Sequence, residues 1–379
     1  MAEAMALEQR TPDTSWRVAD PWLLFAALAL AGFGLVMVYS ASSALAAKRY
    51  ADATYFFRHQ LLHVSTGLVV MFVLAYWDYT RLQRLAYPAM GVVLFLLVLV
   101  LIPGVGHTAG GASRWIRLGP WGLQPSELAK LALVLYLAYS LSEHRDNIKS
   151  FTMGVLPHLI TTVVLVLPVL CQPDLGMTVM LVTLTLAMLF VAGARLSYLV
   201  GMLAVAAPAV WALVVFFPYR FKRLTVFWDP WADPRGAGFQ IIHSFLALGS
   251  GGLWGVGLGS GRQKLFYLPE PHTDFVFSVL GEELGLMGVL VVLSLFLVVI
   301  WRGILTALEA RDLFGTYLAV GCTLIVGLQA FVNAGVVMGL LPTKGLTLPF
   351  LSYGGSSLLT NFACVGILLA VARQKGKKA

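Results

Sequence analysis

Charge is what this chain has least of. Only 12% of its 379 residues are Asp, Glu, Lys or Arg, about half the share of an average soluble domain. A soluble globule needs more charge to cover its surface, so a soluble enzyme is excluded, as are disordered and fibrous chains. Cysteine is scarce too. Cys171, Cys322 and Cys364 lie in or beside apolar runs and form no C-x-x-C pair, which argues against a disulfide framework or a cysteine zinc site. The first twenty residues lack an apolar core and are expected to be a tail rather than a cleavable signal. No strand-like alternation recurs, which excludes a transmembrane barrel. No internal repeat, linker or low-complexity tract is evident, so one membrane domain is expected.

What the chain has instead is apolar length: 59% of its residues are hydrophobic. Runs suited to a spanning helix of about 20 residues lie at roughly 21–41, 61–77, 83–103, 126–142, 152–171, 174–193, 196–217, 275–301, 313–338 and 349–372. The expected fold is therefore an all-α polytopic membrane protein of ten transmembrane helices. One long exterior loop, about 218–274, separates the seventh and eighth. Residues 1–20 and 373–379 would be tails flanking a single domain over 21–372. In the short loops, basic residues concentrate on the side that holds both termini: Arg81 and Arg84, Arg145 and Lys149, Arg195, Arg302 and Arg311. That places both termini in the cytoplasm. The net charge of +8 is spread between apolar segments, where anionic headgroups rather than nucleic acid explain it.

The long loop opens on Tyr219-Arg220-Phe221-Lys222-Arg223. Such a segment suits an interfacial anchor first, and, as the sharper alternative, a site for an anionic lipid substrate such as a pyrophosphate. Phe239, Ile242, Phe245 and Leu246 recur at helical spacing, with Gln240, His243 and Ser244 on the other side, as in a short helix lying in the interface. The glycines from 249 to 261 have no strand and crossover helix around them, so they read as flexible backbone near the membrane rather than a dinucleotide site. The loop ends in PEPHTD. Its Asp274 can cap the next helix, or act as a general base at the mouth of the membrane domain. His272 beside it is structural or catalytic. Glu282 and Glu283 fall inside a span and call for a polar interior or a partner. Glu127 and Lys130, three apart, share a helix face and can pair. Gln329 and Asn333 can bond between helices. The last exterior segment, LPTKGLTLPFLSYGGSSLL, holds the lone cation Lys344 and the hydroxyls of Ser352, Tyr353, Ser356 and Ser357.

These motifs resemble the SEDS family (shape, elongation, division and sporulation) over nearly the whole chain. The matching stretches are GASRWIRLGPWGLQPSELAK, QPDLGM, PEPHTDFVFSVLGEELG and the PTKGLTLPF-containing last segment. The last of these resembles the division branch and its sporulation relatives. The resemblance implies a peptidoglycan glycosyltransferase that polymerises lipid II into glycan strands outside the cytoplasmic membrane, during septal synthesis. It puts the family's essential aspartate on Asp274 and its charged intramembrane pair on Glu127 and Lys130. The donor would be a glycan on undecaprenyl pyrophosphate. Arg114, Arg117, Arg220, Lys222, Arg223 and Lys344 are the candidate pyrophosphate cations. Gln240, Ser244, His272, Thr273 and Ser352 are further substrate contacts. A class B penicillin-binding protein, other division proteins and membrane lipids are the implied partners. No cofactor or metal ligand set is expected, with a divalent cation left open. A lipid II flippase, an elongation-branch polymerase and a non-enzymatic division scaffold stay open as alternatives.

Overall fold

A computed structural model describes residues 20–374, apart from 110–111, 119–120, 266–267, 269 and 344. Lys344 and the terminal residues 1–19 and 375–379 therefore lie outside the described residues. Helix α1 (Pro21–Tyr50) starts where Asp20 accepts the Leu23 amide at 3.1 Å and Pro21 supplies a preset first turn. After α2 (Tyr55–Tyr76), a 3₁₀ turn leads into α3 (Ala86–Leu99). Then come α4 (Pro125–Glu143), α5 (Leu156–Cys171), α6 (Leu175–Val191) and α7 (Leu196–Val215). Two short helices follow, α8 (Pro218–Trp228) and α9 (Phe239–Gly251), and the chain finishes with α10 (Val276–Leu308), α11 (Leu313–Val337) and α12 (Gly355–Arg373).

The chain is a helical, multi-pass membrane protein. Eight helices among the described residues are long and apolar enough to cross a bilayer. Two of the ten expected spans are helical but fall short of that description. Helix α6 has only 17 residues, and α4 carries Glu127 and Lys130. Helix α12 is buried on nearly every side, as a helix at the centre of a bundle must be. Helix α7 is its opposite: Leu199 is its one buried residue, and Val205, Trp211 and the following Phe216 stand bare. In a bilayer such a surface faces lipid or a partner helix.

Three departures from the sequence reading shape the site. First, the α3–α4 connection folds into an antiparallel sheet, β1 (Gly106–Ala109), β2 (Ala112–Leu118) and β3 (Trp121–Leu123), in the order β1-β2-β3. Strands this short show too few alternations to be seen in sequence.

Second, α9 buries Ile241, Ile242, Ser244 and Ala247 against its neighbours, while Leu246 is exposed. It packs on α10 and α11, so the buried face is not the one expected for a helix lying on lipid.

Third, the glycine segment is docked, not loose. Helix α10 breaks at Gly285 (φ 65°). There the amides of Val256 and Gly257 donate to the carbonyls of Glu282 and Glu283, while Leu286 and Met287 donate back to Gly252 and Leu253. A Cβ at Gly255 would lie 2.1 Å from the Glu283 carbonyl oxygen. The glycines are there because two backbones touch. Glu283 is held by Lys264 at 2.5 Å and by Ser40 of α1, and Glu282 accepts the amides of Arg262 and Gln263. These are the partners that the two intramembrane carboxylates require.

Candidate active site

Asp274 sits in the turn before α10. Thr273 donates both its amide (3.1 Å) and its hydroxyl (3.0 Å) to the Glu270 carbonyl, which tightens that turn. Asn333 of α11 donates to the Asp274 carbonyl at 2.9 Å and to Leu346 O, tying the turn to the last exterior segment. The helix begins two residues later, at Val276, and its N-cap position is Phe275, with no side-chain cap. The carboxylate of Asp274 is therefore free of the capping role the sequence allowed. It faces a cavity of about 420 Å³. Gly345 closes over it so tightly that a Cβ there would be 3.1 Å from Oδ2.

Burial pushes the Asp274 carboxyl up to about 6. Nearby Glu270 adds to the rise, while Arg223 and Arg114 oppose it. At neutral pH the group is still mostly ionised, and it is a stronger base than an ordinary carboxylate. His272, two residues earlier, is buried, and that burial pushes its imidazole down to about 4. It is neutral at neutral pH, so it cannot offset pyrophosphate charge and can only hydrogen-bond.

The candidate cations separate into three groups. Arg114 of β2 lines the Asp274 cavity. Its guanidinium donates to the carbonyls of Gln172 (3.2 Å) and Pro173 (2.8 Å) and lies 3.4 Å from Asp174. Asp174 also caps α6. Lys222, Arg223 and Gln240 line a second pocket of about 280 Å³ together with Arg235 and Thr343. There Lys222 pairs with Asp233 at 2.8 Å, and Arg223 donates to the Thr343 carbonyl at 3.2 Å. Arg117 and Arg220 reach neither pocket. Arg117 bonds His107 at 2.7 Å, and Arg220 turns back to the Leu213 carbonyl and over the Phe217 ring. Lys344 lies outside the described residues.

Two expected substrate contacts are corrected. The Ser244 hydroxyl is fully buried between helices, 2.8 Å from Ser278 Oγ and 2.7 Å from the Val337 carbonyl. Ser352 donates to the Thr273 carbonyl and accepts the Leu348 amide, so it fastens two turns together. Thr273 itself does line the cavity.

Glu127 and Lys130 pair at 2.8 Å, both buried. The Lys130 ammonium also donates to Gln329, whose amide donates on to Thr347 and Ser357 in the cavity wall. The pair thus buttresses the cavity from behind. Sequence reasoning missed Arg49, Trp115, Gln124 and Glu270 as cavity residues, and it missed Asp174 and Lys264 as partners of named charges. Asp174 had a visible signal, a carboxylate between two apolar runs. The others lay in stretches whose facing only packing decides. Among the described residues no cluster of three or more His, Cys, Asp or Glu could hold a metal.

Comparison with known proteins places this geometry. Residues 21–377 match the FtsW/RodA/SpoVE family of cell cycle proteins. The "Probable peptidoglycan glycosyltransferase FtsW" of Geobacter sp. (strain M18) is 50% identical, covering 94% of this chain and 98% of its own. The stage V sporulation protein E of Bacillus subtilis is 47% identical, covering 93% and 97%. Among solved structures, a chain from a study of polymerization and crosslinking by a peptidoglycan synthase complex superposes with a TM-score of 0.78 at 35% identity, covering 94% of this chain and 98% of that one. The rod shape determining protein RodA of Thermus thermophilus gives 0.71 at 32%, covering 96% and 99%. The chain belongs to the FtsW/RodA/SpoVE family.

Proposed function

We propose that the chain is a peptidoglycan glycosyltransferase that polymerises lipid II at the outer face of the cytoplasmic membrane, during septal wall synthesis. The observation that carries this reading is a carboxylate of raised basicity, Asp274, that caps no helix and faces a cavity with Arg114 on its wall. Its full-length relatives are named for the same activity.

In this reading Asp274 takes the proton from a hydroxyl of the acceptor sugar. The hydroxyl oxygen attacks the anomeric carbon of the donor. The bond from that carbon to the pyrophosphate oxygen breaks, and undecaprenyl pyrophosphate leaves with the electron pair. Arg114 and Arg223, which already bear on the Asp274 carboxylate, offset the leaving group's charge. Preformed positive groups there stabilise the charge that develops on bond breaking more than they stabilise the ground state. Apolar grooves between the helices hold the polyprenyl tails.

The product must be cross-linked, and a class B penicillin-binding protein is the proposed partner, alongside other division proteins. The bare apolar faces of the bundle offer a single-pass helix a place to dock. Both termini would lie in the cytoplasm, with the protein at the division septum. Purified protein incubated with labelled lipid II, with and without a cognate transpeptidase, tests the proposal. Glycan polymer is the expected product. Transport of lipid II without polymer, retained in Asp274→Asn, would replace the polymerase with a flippase.

A further inference from the structure

The cavity that holds Asp274 has a wall made of rings. Phe56 of α2 lies 4.5 Å from the His272 ring and 5.2 Å from the Tyr353 ring, and His272 and Tyr353 are 5.6 Å apart. All three line the same cavity as Asp274. They come from three separate parts of the chain, and hydrogen bonds to backbone carbonyls hold those parts together. The Tyr353 amide donates to the His272 carbonyl at 2.8 Å, and Gln60 of α2 donates to the Ser352 carbonyl at 3.2 Å. Phe56 stands apart from the main hydrophobic core, in a small cluster with Val38 and Ala46 against which Tyr353 packs. A ring set outside the core, fixed from three directions and opening on a cavity, is built to meet a ligand.

The chemistry of the wall indicates which part of a lipid-linked sugar it meets. It is not purely apolar. Beside the rings, Gln124, Thr273, Asp274, Thr347 and Ser357 line the cavity. Polar groups closed off from water by a ligand are costly unless that ligand bonds them. A polyprenyl chain has nothing to offer them. A pyrophosphate repels ring faces, which are electron-rich. A pyranose suits both features: one face presents C–H groups to an aromatic ring, and its rim presents hydroxyls and an acetamido group. The cavity's 420 Å³ is of the size that holds small ligands.

We propose that Phe56, His272 and Tyr353 form the saccharide-holding wall of the cavity, seating the N-acetylated acceptor sugar whose hydroxyl Asp274 deprotonates. The inference rests on the glycosyltransferase reading above and adds to it the place where the acceptor sugar sits. Arg114, which comes from β2, is left to the phosphates.

Steady-state kinetics of the full chain in lipid nanodiscs with lipid II test this, using Tyr353→Leu and Phe56→Leu. Each keeps apolar bulk and removes a ring. KM should rise about tenfold, near the upper range of what one aromatic contact contributes, with kcat within about threefold. Tyr353→Phe, which restores the ring, should recover most of the affinity. Thermal melts identify any variant that fails to fold, and the other Leu variant then carries the test. Repeating the series with a short-tailed lipid II analogue separates sugar from tail. A KM effect that persists supports the wall, and one that vanishes assigns the rings to the lipid and overturns it. Unchanged KM in two folded Leu variants also overturns it. Failure of the wild-type protein to make any polymer would instead sink the glycosyltransferase reading itself.

Discussion

Glu283 and Lys264 meet at 2.5 Å, both buried, where the glycine segment docks on the break in α10. Ser40 of α1 bonds both, so one ion pair joins three parts of the chain. Removing one partner leaves an uncompensated buried charge, worth about 3–5 kcal/mol. Lys264→Met and Glu283→Leu should each lower the melting temperature sharply. The double variant should regain much of the loss. A double variant no better than the singles would show that the pair is not a unit.

The same docking makes Gly255 intolerant of a side chain. Its φ is 80°, and a Cβ would meet Glu283 O at 2.1 Å. Gly255→Ala should cost at least about 1–3 kcal/mol from the backbone conformation alone. It should also free the segment, read as faster protease cleavage between residues 252 and 264. An unchanged cleavage rate would contradict the docked arrangement.

Asp274→Asn separates base from scaffold. The side chain caps nothing, so the variant should fold and insert, with polymerisation down at least about a hundredfold. In the wild type, turnover should fall as pH drops through about 6, where the carboxylate takes up its proton. The residual activity of the variant should lack that step. Stability runs the other way. A carboxyl whose pKa is raised by folding favours the folded state at low pH and loses that contribution as pH rises through about 6. The variant should therefore melt higher than wild type above pH 6. Near-normal synthesis by Asp274→Asn would remove the general base.

Glu127 and Lys130 should matter as a pair. Lys130 also anchors Gln329, which holds Thr347 and Ser357 in the cavity wall. Lys130→Met should therefore lower stability and activity together. Glu127→Gln with Lys130→Met should recover more stability than activity, because Gln329 still lacks its donor. Recovery of both in full would limit the pair to a structural role.

A cysteine at exposed position 262, in a chain freed of its own three cysteines, reports topology. With both termini cytoplasmic, a membrane-impermeant maleimide should label it in intact cells stripped of outer barriers. Labelling only after the membrane is opened would invert the arrangement.

Membrane residence, helical class and the place of Asp274 at a loop–helix junction were legible in the sequence. Each depends on local properties: run length, hydropathy and the residues flanking a run. Fixing an apolar run of 20 residues in a bilayer needs no knowledge of its neighbours. The Glu127–Lys130 pair was legible for the same reason, since a spacing of three on one helix brings side chains together. Which cations reach Asp274 was not legible. Arg114 and Arg117 are three apart in the chain, yet one faces the cavity and the other a histidine on the neighbouring strand, because a short sheet decides their facing. Ser244 and Ser352 looked like substrate hydroxyls, and packing spent both on internal bonds. Lys264 and Glu283 found each other only when a broken helix received a glycine loop. Charge placement in a bundle depends on contacts between residues far apart in sequence, and only the folded chain brings those residues together.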